Sequence, residues 1–313
     1  MSLQKLSTRS DSVSSAGHAL GQIVGDWWEI DVMCPLLREV ASDLKLFLDN
    51  RSVERKCRGE KVTWPDTQEN FVDYDFVLEI NGTNAKTGIP VAFIESFWRR
   101  GARHSKDKAR DDTNKLLPMR DSYVTARLLG IAACGEFTEP ARDYVRSRNV
   151  ELFYIGKNSI LEAFSSCGVP LDYPDDLSEG QKLRLLREAQ KLLTPKVKKK
   201  IVRVLQEGET GRDLESFKRR IIAALCAFPQ EIRICMLSKS EPVIFQTIEQ
   251  ATEFVNTATP KFLSSERHQH FEYDVVFSDG SEFTRTLANL SALRETNASL
   301  AALVSHMARF IRS

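Results

Sequence analysis

Asp75 and Glu95 flank an Asn81-Gly82 turn signal, and a dense basic stretch follows at once: Arg99, Arg100, Arg103, Lys106, Lys108 and Arg110, opposed only by Asp107. Paired carboxylates supply the hard oxygen ligands that magnesium takes, usually in ones and twos, with water and phosphate completing its shell. Cations alongside would hold a phosphate, so the types and spacing point to metal-dependent phosphodiester chemistry. The competing reading makes each acid one half of a structural ion pair with a nearby arginine, because ionic networks also place carboxylates on strands.

The elements that must position these groups can be read from periodicity. Tyr74, Phe76, Leu78 and Ile80 alternate with Asp75, Val77 and Glu79, the two-residue repeat of a half-buried strand. A second strand, Ile89 to Trp98, carries Val91, Phe93, Glu95 and Phe97 on one face, so Glu95 interrupts an apolar run and its charge needs compensation. If the two strands pair through the loop around residues 81–88, Asp75 and Glu95 lie at the same end of the sheet. Ala102 to Leu117 then reads as a helix stopped by Pro118. His104, Lys108, Asp111 and Lys115 recur on it at spacings of four, three and four, which puts them on one face able to attract phosphate; the alternative is an ordinary solvated helix of mixed charge.

The order helix, strand, acidic strand, acidic strand, helix, strand, together with Asp75 and Glu95, resembles the PD-(D/E)XK nuclease superfamily, over roughly residues 17–156. The resemblance implies a restriction-endonuclease-like core, a mixed sheet flanked by helices, in which Asp75 and Glu95 bind magnesium (manganese substituting) and a lysine orients or activates water. Glu95-Ser96-Phe97 departs from the motif, with phenylalanine in the lysine's place. Some members carry the lysine on the following helix, and Lys108, with Lys106 in reserve, is assigned that role; otherwise the fold has lost cleavage. Gly25-Asp26-Trp27-Trp28-Glu29 resembles the first-helix motif of resolvase-like members, which makes Glu29 a further metal-ligand candidate.

Neighbouring segments agree with an α/β protein. Gly17 to Asn50 reads as one long helix, kinked at Pro35; Val53 to Trp64, bearing Arg55, Lys56, Arg58 and Lys61, supplies a basic first strand. Ala126 to Cys134 is an apolar strand, Glu139 to Ser147 a helix and Val150 to Ile155 another strand. The chain divides into a disordered tail (1–16), the nuclease-like domain (17–177), a charged helical connector (178–229) and a small α+β domain (230–313) that would serve assembly or specificity. In the connector, Lys196 to Lys200 and Lys218 to Arg220 read either as a phosphate-contacting arm or as a solvated helix. His268 and His270 lack partnering acids in a metal-binding pattern.

The 313 residues carry 44 basic and 43 acidic side chains, a net charge of +1, so nucleic-acid binding must come from local patches. No run approaches a membrane span, and the polar start lacks a signal peptide's apolar centre, which together lead to an expected cytoplasmic location. The six cysteines show no close metal-type pairing and read as buried free thiols.

These readings converge on a magnesium-dependent DNA endonuclease of restriction or defence type. Asp75 and Glu95 would hold the metal, with Glu29 as a third ligand, and Lys108 or Lys106 would stabilise charge. Arg99, Arg100, Arg103, His104 and Lys115 would grip the DNA backbone. Double-strand cleavage would favour a homodimer by symmetry. The rival, favoured by Phe97, is a catalytically inactive protein of the same fold that binds DNA or acts in assembly.

Overall fold

The computed structural model describes residues 15–237, 241–257 and 270–311, so most of the expected disordered tail, and His268, lie outside the described residues. Helix α1 (Ala16–Trp27) runs through a π-helical turn (Trp28–Met33) into α2 (Cys34–Asp43). Pro35 is the physical reason for the wide turn: it has no N–H to return to Asp31, and the backbone ahead of it closes instead from Cys34 N to the Glu29 carbonyl. The long helix expected to reach Asn50 ends here. Lys45 takes a left-handed conformation (φ 52°) and the chain turns into strand β1 (Phe47–Asn50).

Next come a two-stranded hairpin, β2 (Val62–Pro65) and β3 (Phe71–Tyr74), then β4 (Phe76–Ile80) and β5 (Ile89–Arg99). Helix α3 (Ser105–Ser122), β6 (Leu128–Gly135), α4 (Glu139–Ser147) and β7 (Glu151–Gly156) complete a five-stranded mixed sheet in the order β1-β4-β5-β6-β7. The first two pairings are antiparallel and the last two parallel. The first strand of the sheet is therefore β1 and not Val53 to Trp64, most of which is irregular. Pro118 does not stop α3; buried Leu116 and Met119 hold the final turn against the sheet, and Tyr123 N still donates to the Met119 carbonyl.

Both sheet faces are covered. On one, α3 and α4 bury Ala109, Leu116, Ala141 and Val145 against Phe93, Leu129 and Ile131. On the other lie α1, α2 and α5 (Lys157–Ser166), joined by α6 (Glu179–Leu192), α7 (Pro195–Glu207) and α8 (Glu209–Leu225). The segment read as a connector is thus part of the covering layer: Ile201, Leu205, Phe217 and Ile221 are buried, and Phe217 stacks on Phe153 of β7 at 4.7 Å. Its cations are partly committed, Lys198 to Asp31, Lys218 to Glu39 and Asp43, and Arg220 to Glu151. The remaining strands β8 (Pro229–Met236), β9 (Val243–Phe245), β10 (Phe271–Phe277) and β11 (Glu282–Leu287) form an antiparallel sheet, order β11-β10-β8-β9. It is backed by α9 (Ile248–Thr257) and α10 (Leu290–Ile311), and its core runs on without interruption into that of the central sheet. Among the described residues no helix is long and apolar enough to cross a membrane. Cys34, Cys57, Cys134, Cys167 and Cys226 are free thiols, Cys34 and Cys134 buried and Cys57 exposed.

Candidate functional site

The site is made where β5 continues past the start of β4. Phe76 pairs with Ile94, so residues 95–99 of β5 overhang the antiparallel neighbour, and Asp75, at the bend just before β4, sits beside the overhang. Its carboxylate accepts a 2.7 Å hydrogen bond from Ser96 N. Asp75 and Glu95 are brought together as the strand pairing required.

Glu95 is 2% exposed, and its partner comes from α3: Lys115 Nζ donates to Glu95 Oε1 at 2.7 Å and lies 5.9 Å from the centre of the Tyr74 ring. The Lys115 carbonyl accepts from the Tyr74 hydroxyl at 2.7 Å, fixing this turn of α3 to the strand that leads to Asp75. Seven residues earlier on the helix, Lys108 binds Asp112 at 2.6 Å and lies over the Phe97 ring at 5.1 Å. Asp112 is buried, and its Oδ2 has no hydrogen-bond partner among the described residues. The inward face of α3 is therefore Lys108, Asp112 and Lys115, not the expected set with His104 and Asp111, which are exposed. Asp112 was missed although the four- and three-residue spacing from Lys108 to Lys115 passes through it.

Burial and mutual repulsion dominate the electrostatics. Desolvation, followed by Asp75, pushes the Glu95 carboxyl up to about 8 despite Lys115. Asp75 is raised by burial against the pull of the Ser96 N–H, Lys115, Lys108 and Arg51, and Asp112 is likewise raised by burial against Lys108. For Lys115 burial works downward, but Glu95, Asp112 and Asp75 together outweigh it and hold its ammonium above the ordinary lysine value. At neutral pH it is a cation, which suits charge stabilisation and not proton abstraction.

Glu29 lies in the π-helical turn and approaches from the other face of the sheet. Burial and then Asp75 raise it to about 7, while Arg51 binds its Oε1 at 2.7 Å and also reaches Asp26 at 3.0 Å. Glu29 thus belongs to the electrostatic neighbourhood of Asp75, but Arg51 holds it. Among the described residues no three His, Cys, Asp or Glu side chains gather closely enough to cage an ion, so Glu29 does not complete a three-carboxylate site with Asp75 and Glu95. A cleft of about 440 Å³ opens here, lined by Glu29, Arg51, Ser96, Phe97, Arg99 and Arg100 among others.

The other expected residues divide. Lys106 and Arg103 are exposed, and Lys106 lies two residues round the helix from the inward-facing Lys108, away from the acids. His104 stands at the N-terminus of α3, 3.3 Å from Asp107. Arg100 is drawn off the surface: it stacks on Tyr173 at 3.6 Å, donates to that residue's carbonyl, and lies 3.7 and 3.5 Å from Asp172 and Asp175. Arg99 lines the cleft, its carbonyl bonded to Glu136 N at 2.6 Å. The adjacent Gly135 (φ 102°) allows that approach, since a Cβ there would meet the Arg99 carbonyl oxygen at 2.0 Å. Arg55 and Arg58, read as a basic edge, are instead interior: Arg55 is held between Asp49 and Glu79 at 2.7 and 2.5 Å, and Arg58 meets Asp49 at 2.7 Å.

The donor chemistry fits a divalent cation. Asp75 helps to raise the buried Glu95 carboxyl, a repulsion that a cation bound between the two would relieve, and Ser96 Oγ and Asp112 Oδ2, without hydrogen-bond partners among the described residues, lie on adjoining elements. No family model, curated protein or solved structure matches the chain.

Proposed function

We propose that the protein is a divalent-metal-dependent DNA endonuclease built on a restriction-endonuclease-like core. The observation that carries the reading is the ion pair from Lys115 of α3 to Glu95 of β5, beside Asp75. A nuclease site with two acids and no lysine on its strand needs an ammonium from elsewhere, and α3 brings one to the acid; it is Lys115, and not Lys108 or Lys106, that takes the role. The succession of helix, acidic bend, acidic strand and helix supports the same reading.

Asp75 and Glu95 would hold magnesium, or manganese in its stead. When bound, such an ion polarises the phosphate and lowers the pKa of a bound water. Lys115 would oppose the negative charge that grows on the phosphate oxygens as water adds to phosphorus and one P–O bond breaks. Lys108, held by Asp112, would support Lys115 by occupying the acid that otherwise competes for it. Arg99 and Arg103 would hold the DNA backbone, which confers affinity without sequence information.

The test is nicking of supercoiled plasmid and of branched DNA in magnesium. Wild-type cleavage that is abolished by Asp75→Asn and by Glu95→Gln, with DNA affinity retained, is expected. Phe97 and the neutralisation of Glu95 by Lys115 favour a second reading, a non-catalytic DNA-binding or assembly protein of the same fold. A wild type that binds both DNAs in magnesium and manganese but cuts neither would establish it.

A further inference from the structure

At the opposite end of the central sheet from Asp75 and Glu95, a cavity of about 870 Å³ opens between the starts of β6 and β7 and the β10–β11 turn. Four arginines from four separate segments line it: Arg120 near the end of α3, Arg127 just before β6, Arg146 of α4 and Arg220 of α8. Three carboxylates, Glu151, Asp279 and Glu282, share the lining. Glu151 is taken by Arg220 at 2.7 Å, and Asp279 by Arg127 at 2.9 Å.

Arg127 is built into this wall. Its side chain is 5% exposed, its guanidinium lies 3.4 Å from the centre of the Phe277 ring, and its Nη2 also donates to Ser281 Oγ at 2.6 Å. Yet its Nε is buried with no hydrogen-bond partner among the described residues. An orphaned guanidinium N–H is costly, because burial removes water without supplying an acceptor. Arg120 donates to the neutral carbonyls of Arg148 and Asn149 at 3.3 and 2.7 Å, and among the described residues no carboxylate pairs with it in a salt bridge. Burial lowers the pKa of both, Arg127 down to about 10 with Arg120 contributing, as expected of a site that holds positive charge in excess of its hydration.

We infer that this cavity binds an organic phosphate of nucleotide size, with its anionic groups on Arg120 and Arg127. The volume falls in the range of small-molecule sites, roughly 300–1,000 Å³, and arginine is suited to phosphate because its planar fork offers paired donors. Leu129, Val150 and Phe283 add apolar lining for the remainder of the ligand. The cavity also joins the two sheets through the Arg127–Asp279 pair, so occupancy would tighten the C-terminal sheet against the central one.

Calorimetric titration of the full chain in metal-free buffer with inorganic phosphate, pyrophosphate, ATP and a short single-stranded DNA tests this without reference to cleavage. ATP should bind saturably and more tightly than pyrophosphate or inorganic phosphate, and Arg120→Gln and Arg127→Lys should each weaken its binding by about tenfold or more, the weight of one hydrogen bond to a charged group. Arg127→Lys keeps a cation for Asp279 but removes the planar guanidinium fork; should it fail to fold, Arg120→Gln and the surface substitution Arg146→Glu carry the comparison. No saturable binding by the wild type, binding indifferent to these substitutions, or binding of the short DNA alone would overturn the inference.

Discussion

The two ends of β4 hold acids in opposite condition. At one end Asp49 and Glu79 are fully buried and matched: Arg55 bridges them, Arg58 adds a second cation on Asp49, and Gly88 N donates to Glu79 at 2.6 Å. At the other, Asp75, Glu95 and Asp112, with Glu29 close by, are all raised by burial, and the cations that face them, Lys108, Lys115 and Arg51, leave that rise uncancelled. The difference separates paired acids from unmatched ones. A complete set of partners makes a buried acid a rigid structural member; an incomplete set leaves an appetite for protons or cations that a ligand can satisfy.

The largest effect is expected from breaking the matched end. Arg55→Met leaves Asp49 and Glu79 buried without their shared partner and should cost about 3–5 kcal/mol in chemical denaturation, the usual range for orphaning a buried charge. Glu95→Gln should have the contrary effect at neutral pH, leaving the thermal midpoint unchanged or raised. A loss for Glu95→Gln comparable to that of Arg55→Met would erase the distinction.

Next in size is catalysis. Lys115→Ala should slow cleavage by roughly a hundredfold or more while retaining DNA affinity, in the range for one charge-stabilising group. Lys108→Ala should slow it less, and Lys106→Ala should leave it unchanged. An active Lys115→Ala beside an inactive Lys108→Ala would move the role back two face positions on α3, to Lys108.

The unmatched end should also set the pH dependence of stability. Glu29 and Glu95 sit at about 7 and about 8 in the folded protein against an ordinary value of 4.5, so between those limits the folded state holds more protons than the unfolded one. Stability of the metal-free protein should then fall as pH rises from about 5 to about 8, on the order of 1 kcal/mol per unit for each group still titrating. Glu95→Gln should flatten the upper part of that curve; a slope that is unchanged, or of the other sign, would contradict the assignment.

The smallest effect is on binding. Replacing Arg99 and Arg103 together should lower the salt dependence of DNA affinity by about one unit of slope per lost phosphate contact, uniformly across sequences. No change would remove them from the interface.

The strand pairing beside Asp75 and Glu95 was legible because the Asn81-Gly82 turn is a local signal, although Tyr74 belongs to β3 and β4 is buried on both faces instead of one; α4 follows from local pattern just as closely. The end of α2 was not, because Phe47 to Asn50 is strand only by pairing with Phe76 to Glu79. The identity of the site lysine was hidden for a related reason. From Ser105 to Lys115 every residue of α3 but Ala109 is polar, and which cations face inward depends on how the helix rolls onto the sheet, decided by Ala109, Leu116 and Met119. Arg55 and Arg58 looked like surface charge because their partners Asp49 and Glu79 come from two different strands. Arg100 was lost to Tyr173, seventy-three residues further along the chain.

The central claim, that the unmatched acids form a cation site, is tested most directly by titrating manganese into the full-length protein and following free ion by electron paramagnetic resonance. Binding should be saturable in the wild type, strengthen as pH is raised from about 6 to about 8 because the ion displaces the protons of the raised carboxylates, and be lost in Asp75→Asn and in Glu95→Gln. Manganese binding that is absent from the wild type, or that persists unchanged in both variants, would contradict the account.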